Sequence, residues 1–445
     1  MTPGIGVECK YFCFGLWQRI MLFCLHTRKK ESKKESKKER GKKGMIRDNS
    51  IKAVFPKKRL PHYPEDLTPD RIKQVRAFHE SVDGYAVTPL CHLPELAGRL
   101  GLKNLYVKDE SFRFGLNAFK SLGATWALAR ILGEKLEQPV SLLDFSYFKQ
   151  PAIREKIRDL VFVTATDGNH GRGLAWAAGQ LGCWAVIYMP AGTVKSRVEN
   201  IEKEGARVCV TDMNYDDTVR LAADAARDNG WIIVQDTAWK GYEQIPAWIV
   251  QGYATMAGES LEQIRNAGFD LPTHVFVQAG VGSMAAAVVG HYANQLNQDC
   301  PLFFIMESDQ ADCMYKSALA DDGRPRAVGG QLNTIMAGLA CGEANPFAWE
   351  ILRDFSTGFI ACSDGVAVQG MQLLAKPGPG DEPIVSGESG ALGPGLVHCL
   401  MTDPKFSDLK EKMKLNQTSS VLCFSTEGDT DPENYQKIIH GPKAY

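Results

Sequence analysis

From about Asp70 onward, short apolar runs rich in β-branched residues alternate with longer amphipathic stretches, the pattern of βα units wound around a mostly parallel sheet. The runs at 160–165, 185–189, 208–211, 231–235, 274–278, 302–307 and 420–425 predict strands. Between them, Leu174, Ala177, Ala178 and Leu181 recur at helical spacing after Gly171, and Ile245, Ile249 and Met256 do so further on. Such spacing predicts helices with one buried face. The expected fold class is α/β, two-domain, with open, mostly parallel sheets and helices on both faces. Residues 137–158 break the alternation with aromatic, proline-containing text and read as an inserted surface excursion or lid.

Composition narrows the field. A chain of 445 residues, 44% hydrophobic and 23% charged, buries a sizeable core and divides into about two domains. The net charge of -1 is uneven: residues 1–44 carry 12 Lys/Arg against 4 Asp/Glu, a net of +8, which leaves -9 for the rest. An acidic body is a poor general binder of phosphate backbones, so no nucleic-acid partner is expected. The highly charged, low-complexity stretch at 28–44 is expected to be disordered. Gln18 and Arg19 interrupt the longest apolar stretch, at 11–26, so no membrane span is expected. Twelve scattered cysteines without a CxxC pair fit reduced thiols in a cytoplasmic enzyme.

Three predicted strand-to-helix junctions carry unusual residues, and ligands of open parallel sheets gather beyond the carboxyl ends of strands. The first is Thr166-Asp167-Gly168-Asn169-His170-Gly171-Arg172-Gly173. Its glycines allow close backbone approach to a flat ligand, and Asn169 offers both a donor and an acceptor; alone, this is equally a plain Gly-rich turn. The second, Gly280-Val281-Gly282-Ser283-Met284, opens a helix of small residues. It would present free N–H groups and a positive dipole end to an anion. It lacks the Walker lysine and is not a full GxGxxG, so by itself the signal is weak. The third is Ser425-Thr426-Glu427-Gly428-Asp429-Thr430-Asp431. Ser425 is a candidate partner for a ring nitrogen, while the acids beyond it equally cap a turn or helix.

Lys120 stands among apolar and small residues in FGLNAFKSLGA. Such neighbours disfavour the charged form and free the amine to attack an aldehyde, although most lysines are solvated surface charges. Other candidates carry less. His170 lacks partners at metal-ligand spacing, Asp212, Asp216 and Asp217 read as loop and helix-start acids, and Cys341 reads as a small packed residue.

Taken together, the lysine in AFKSLGA, the GNHG turn, the later glycine-rich anion loop and the terminal strand ending in serine resemble the fold-type II pyridoxal-phosphate enzymes. Within that superfamily, FGLNAFK, ATDGNHGRG, TDMNYDDT, QDTAW, MAGLACGE, SGESGA and STEGDTD resemble the diaminopropionate ammonia-lyase family, over roughly residues 61–445. The resemblance implies pyridoxal 5'-phosphate as cofactor, an amino acid as substrate and a homodimer. It also implies a large domain from 45–120 and 231–445, with a small mobile domain at 121–230 and the cofactor between them. Lys120 would carry the cofactor and act as base, and Asn169 would contact the ring hydroxyl. Gly280, Val281, Gly282, Ser283 and Met284 would hold the phosphate, with Ser425 at the ring nitrogen and Glu388 as its rival. The implied reaction removes the α-proton of 2,3-diaminopropionate and expels its β-amino group, giving pyruvate and two ammonia; this chemistry requires no metal.

Asp167 separates this reading from its nearest alternative, a serine or threonine dehydratase of the same fold. The related dehydratases have a small hydroxyl or neutral residue at that turn. A carboxylate there would both recognise the β-ammonium and accept a proton, where a neutral hydroxyl gains less; the competing reading is that Asp167 caps the following helix. The resemblance further implies that Asp167 takes the α-proton from the face opposite Lys120, so that both enantiomers react. Asp236, in QDTAW, is expected to help bind substrate. A catalytically silent binding protein that kept the fold is the alternative from another class, and retention of Lys120, Asn169 and the anion loop argues against it. A nicotinamide-dependent dehydrogenase lacks its early GxGxxG.

Overall fold

The computed structural model describes residues 50–57, 59–166 and 168–442. The expected disorder at 28–44 and the side chain of Asp167 therefore lie outside the described residues.

Two sheets organise the chain. Strands β1 (Ile51–Val54), β2 (Leu90–His92), β3 (Asn104–Asp109), β8 (His274–Gln278), β9 (Leu302–Ser308), β10 (Gly358–Cys362) and β11 (Ser420–Ser425) form a seven-stranded sheet in the order β1-β10-β9-β8-β11-β3-β2. Its inner pairs are parallel and only the edge strands β1 and β2 run antiparallel. The intervening β4 (Val161–Ala165), β5 (Trp184–Met189), β6 (Arg207–Val210) and β7 (Ile232–Ile233) make a four-stranded parallel sheet in the order β6-β5-β4-β7. The α/β class with open, mostly parallel sheets holds. The smaller sheet runs past the expected boundary at residue 230, because β7 pairs with β4.

Central strands buried on both faces read as continuous apolar runs, which is why β4, β5, β8, β9 and β11 fall within a residue or so of their expected positions. The strand expected at 231–235 shortens to two residues. The pattern missed β1, β2, β3 and β10. The first two are edge strands of four and three residues. β3 carries Lys108 and Asp109 inside the protein, which breaks the apolar run.

The segment at 137–158 runs over the surface, as expected of an excursion, but is anchored to the core. It folds into three short helical turns whose Phe145, Phe148, Ile153 and Ile157 are buried in the main core. Phe145 N–H also donates to Ser81 Oγ at 2.9 Å. The apolar area of these side chains is what fixes the segment down.

Two glycines bring the long helix Gln244–Asn266 hard against the helix Ser121–Lys135. A Cβ on Gly252 would lie 2.5 Å from Leu122 O, and one on Gly123 would lie 2.5 Å from the Tyr253 ring. This crossing sets the position of Lys120 at the head of the shorter helix. Beneath the loop that leads to Lys120 lies a fully buried set of charges. Glu259 Oε2 pairs with Lys108 at 2.7 Å and with Arg113 at 2.8 Å, and Arg113 also meets Glu110 at 2.8 Å. Burial opposes ionisation of Glu259, but Arg113 and then Lys108 hold its carboxyl well below the usual range. Among the described residues, no helix is long and apolar enough to cross a membrane.

Candidate active site

The carboxyl ends of β4, β8 and β11 and the head of the helix Ser121–Lys135 meet around one cavity. Lys120, Asn169, Asp236, the Gly280 to Met284 turn, Cys341 and Glu427 line it. Residues far apart in sequence thus reach one place because parallel strands deliver their loops to one edge.

Lys120 Nζ lies 2.5 Å from Asp236 Oδ2, 5.4 Å from the centre of the Phe119 ring and 5.7 Å from that of Tyr253. Burial opposes the charge on Asp236, yet the Lys120 ammonium, then His170 and the Lys120 hydrogen bond, hold its carboxyl at about 2. Its main-chain carbonyl accepts from Ser283 Oγ at 2.7 Å, and Ser283 Oγ accepts from Asn345 Nδ2 at 3.0 Å. Asp236 therefore ties the lysine to the glycine-rich turn.

The GNHGRG turn packs directly on the lysine. A Cβ on Gly173 would sit 2.8 Å from Ser121 N and 3.0 Å from Lys120 C. Thr166 Oγ1 accepts from the N–H groups of Gly168 at 2.9 Å and Gly171 at 3.1 Å, shaping the bend that opens the helix Asn169–Leu181. Asn169 Nδ2 donates to Glu427 Oε2. His170 points away, its Nε2 bonded to Val234 O at 2.7 Å.

The second junction has the shape of an anion cradle. Gly282 has φ +95°, and a Cβ there would lie 2.4 Å from Met314 Cε; one on Gly280 would lie 2.8 Å from Gly338 O. The helix Ser283–Leu296 begins here, and a helix leaves its first N–H groups without intrahelical acceptors.

At the third junction the residues facing the cavity are Thr426 and Glu427. Ser425 is fully buried, and its Oγ hydrogen-bonds Ser386 Oγ at 2.9 Å. Glu388 lines a neighbouring cavity and accepts from Asn434 Nδ2 at 2.7 Å. Thr426 Oγ1 accepts from Gln278 Nε2 at 3.0 Å. Burial, and then the Glu388 charge, push the Glu427 carboxyl up, against the pull of Arg197 and of the Asn169 hydrogen bond. Sequence reasoning quoted Thr426 and Glu427 but passed over them, since strand alternation does not say which loop residue faces a cavity. Tyr215 and Phe119, which also line it, carried no signal of their own.

The remaining candidates fall into ordinary roles. Asp216 and Asp217 stand in the first turn of the helix Tyr215–Asn229, whose N-cap Asn214 accepts from Asp217 N–H at 2.8 Å. Burial, and then Glu343, raise the Asp216 carboxyl to about 6. Cys341 is buried at the cavity wall.

The fold and site define a pyridoxal-phosphate-dependent enzyme, and the family model of that description matches residues 82–405. A diaminopropionate ammonia-lyase of Salmonella typhimurium is 51% identical over 367 residues, covering 82% of this chain and 91% of that protein. Two crystal structures of the Escherichia coli diaminopropionate ammonia-lyase each cover 89% of this chain and 98% of theirs. The complex with an aminoacrylate-PLP azomethine reaction intermediate superposes with a TM-score of 0.82 at 46% identity, and the complex with D-serine with 0.83 at 45%. The chain belongs to the diaminopropionate ammonia-lyase family.

The residues present fit the cofactor. An amine beside two aromatic rings suits an aldehyde carbon, and the glycine cradle at a helix N-terminus suits a phosphate; a Cβ on Gly280 would meet the Gly338 carbonyl oxygen.

Proposed function

We propose that this chain converts 2,3-diaminopropionate and water to pyruvate and two molecules of ammonia. The observation that carries this reading is the Lys120–Asp236 pair, 2.5 Å apart, facing the glycine cradle inside one cavity. Family membership supplies the substrate class.

Bound pyridoxal phosphate supplies an electron sink for the pair left behind when the α-proton departs. Lys120 would hold the cofactor, and its amine is the group placed to take the substrate's α-proton. Asp236 orients Lys120 Nζ and stabilises the ammonium that proton uptake creates. The N–H groups of Gly280, Val281, Gly282, Ser283 and Met284 would hold the phosphate, and Asn169 would contact the ring hydroxyl. Thr426 stands at the cavity wall where Ser425 was expected to serve the ring nitrogen, and its hydroxyl is the better-placed group for that task. Phe119 and Tyr253 set two aromatic rings beside the Lys120 amine, which limits the water around it. Asp167 serves the β-ammonium and takes the α-proton on the face opposite Lys120. Loss of the β-amino group as ammonia leaves a three-carbon enamine, which hydrolyses after release and yields the second ammonia. The family resemblance also supports a homodimer, and the scattered cysteines without a CxxC pair support a cytoplasmic setting.

Lys120→Ala tests the assignment. The variant is expected to fold, to lack the visible absorption band of a lysine-bound cofactor and to release no pyruvate. Near-normal turnover by that variant would sink the mechanism.

A further inference from the structure

Glu427 joins the two halves of the cavity in a way the reaction itself does not require. Asn169 heads the helix that follows β4 of the four-stranded sheet, while Glu427 lies two residues beyond β11 in the seven-stranded sheet. The hydrogen bond from Asn169 Nδ2 to Glu427 Oε2 therefore spans the two sheets at the wall of the Lys120 cavity.

Glu427 is itself held from several directions. It is 4% exposed, and its carbonyl accepts from Gly387 N–H at 2.8 Å. A Cβ on Gly387 would lie 2.8 Å from Glu427 Cγ, so the side chain lies along backbone that only glycine allows. Ala118 and Glu427 form an isolated antiparallel bridge, Phe119 N–H donates to Thr426 O at 3.2 Å, and Gly428 N–H donates to Asn117 O at 3.1 Å. The backbone of Glu427 is thereby fastened to the three residues that precede Lys120.

An asparagine amide presents one acceptor and two N–H donors, and its partners decide which way round it points. With Nδ2 committed to a carboxyl oxygen, the amide is locked and Oδ1 and the second N–H keep fixed directions. We propose that Glu427 is a positioning residue that sets the Asn169 amide toward the cofactor's ring hydroxyl, and that it couples this contact to the loop carrying Lys120. The proposal rests on the assignment of Asn169 to the ring hydroxyl made above. Glu427 touches neither the reacting atoms nor the phosphate in this account; it acts through Asn169.

The test uses the full chain loaded with pyridoxal phosphate and compares Glu427→Ala, Glu427→Gln and Asn169→Ala. The visible absorption maximum is recorded, cofactor affinity is measured by titrating the stripped protein, and folding is checked by circular dichroism. Losing one charge-assisted hydrogen bond is expected to weaken cofactor affinity about tenfold in Glu427→Ala and to shift the band in the same direction as Asn169→Ala. Glu427→Gln keeps an acceptor for Nδ2 and is expected to retain the wild-type band. The double variant is expected to be no worse than Asn169→Ala alone, because both remove one unit. If Asn169→Ala changes band and affinity while Glu427→Ala changes neither, the proposal is overturned and the Asn169 assignment stands. If neither variant changes them, both fall. Should Glu427→Ala not fold, Glu427→Met, of similar volume and without an acceptor oxygen, gives the same reading.

Discussion

Asp236 is nearly excluded from water and would resist ionisation were Lys120 not 2.5 Å away. Its carboxyl is held at about 2 against an ordinary 3.8. A depressed carboxylate contributes stability that is present above its unfolded value and is lost as pH falls through its folded one, here between about pH 4 and pH 2. In the cofactor-free protein, Asp236→Asn is therefore expected to lose about 2 kcal/mol at neutral pH. That gap should close on acidification to pH 2, as followed by urea unfolding; an undiminished gap at pH 2 contradicts the pairing. Asp167 is judged by stereochemistry instead. Asp167→Asn is expected to impair turnover of one diaminopropionate enantiomer far more than the other, and equal losses with both would remove the two-base idea.

At the scale of elements, the anion cradle depends on a left-handed Gly282 pressed against Met314. Gly282→Ala puts a Cβ at φ +95°, a strained conformation for alanine, and displaces the Met314 methyl 2.4 Å away. The expected result is cofactor affinity weakened about tenfold or more, with the melting temperature less affected than the affinity; unchanged affinity would mean that the phosphate lies elsewhere. Most of this architecture was legible in the sequence. Central strands such as β8 and β9 announce themselves because both faces are apolar, and the glycine-bearing text after β4, β8 and β11 marks the functional junctions. Edge strands β1 and β2 are too short to show alternation, and β3 hides buried charge within it. In the segment at 137–158, polar and proline residues mask five buried apolar anchors. Which of Ser425, Thr426 and Glu427 faces the cavity was beyond pattern alone, since the last pairing of β11 and the bridge to Ala118 decide it.

For the whole molecule, the buried Lys108, Glu110, Arg113 and Glu259 cluster connects β3, the loop before Lys120 and the helix Gln244–Asn266. Removing one partner strands the opposite charge without water, so Glu259→Gln is expected to destabilise by about 3–5 kcal/mol in urea unfolding; a loss under about 1 kcal/mol would show that the cluster is dispensable. The central claim concerns chemistry, and the direct measurement is pyruvate release by the purified, cofactor-loaded protein. D- and L-2,3-diaminopropionate are compared with L-serine at matched concentration, and L-threonine is followed through 2-oxobutyrate. Rapid pyruvate from a diaminopropionate isomer with little product from the hydroxy amino acids is the expected result. Faster turnover of serine or threonine would contradict the ammonia-lyase assignment and leave a dehydratase on the same fold.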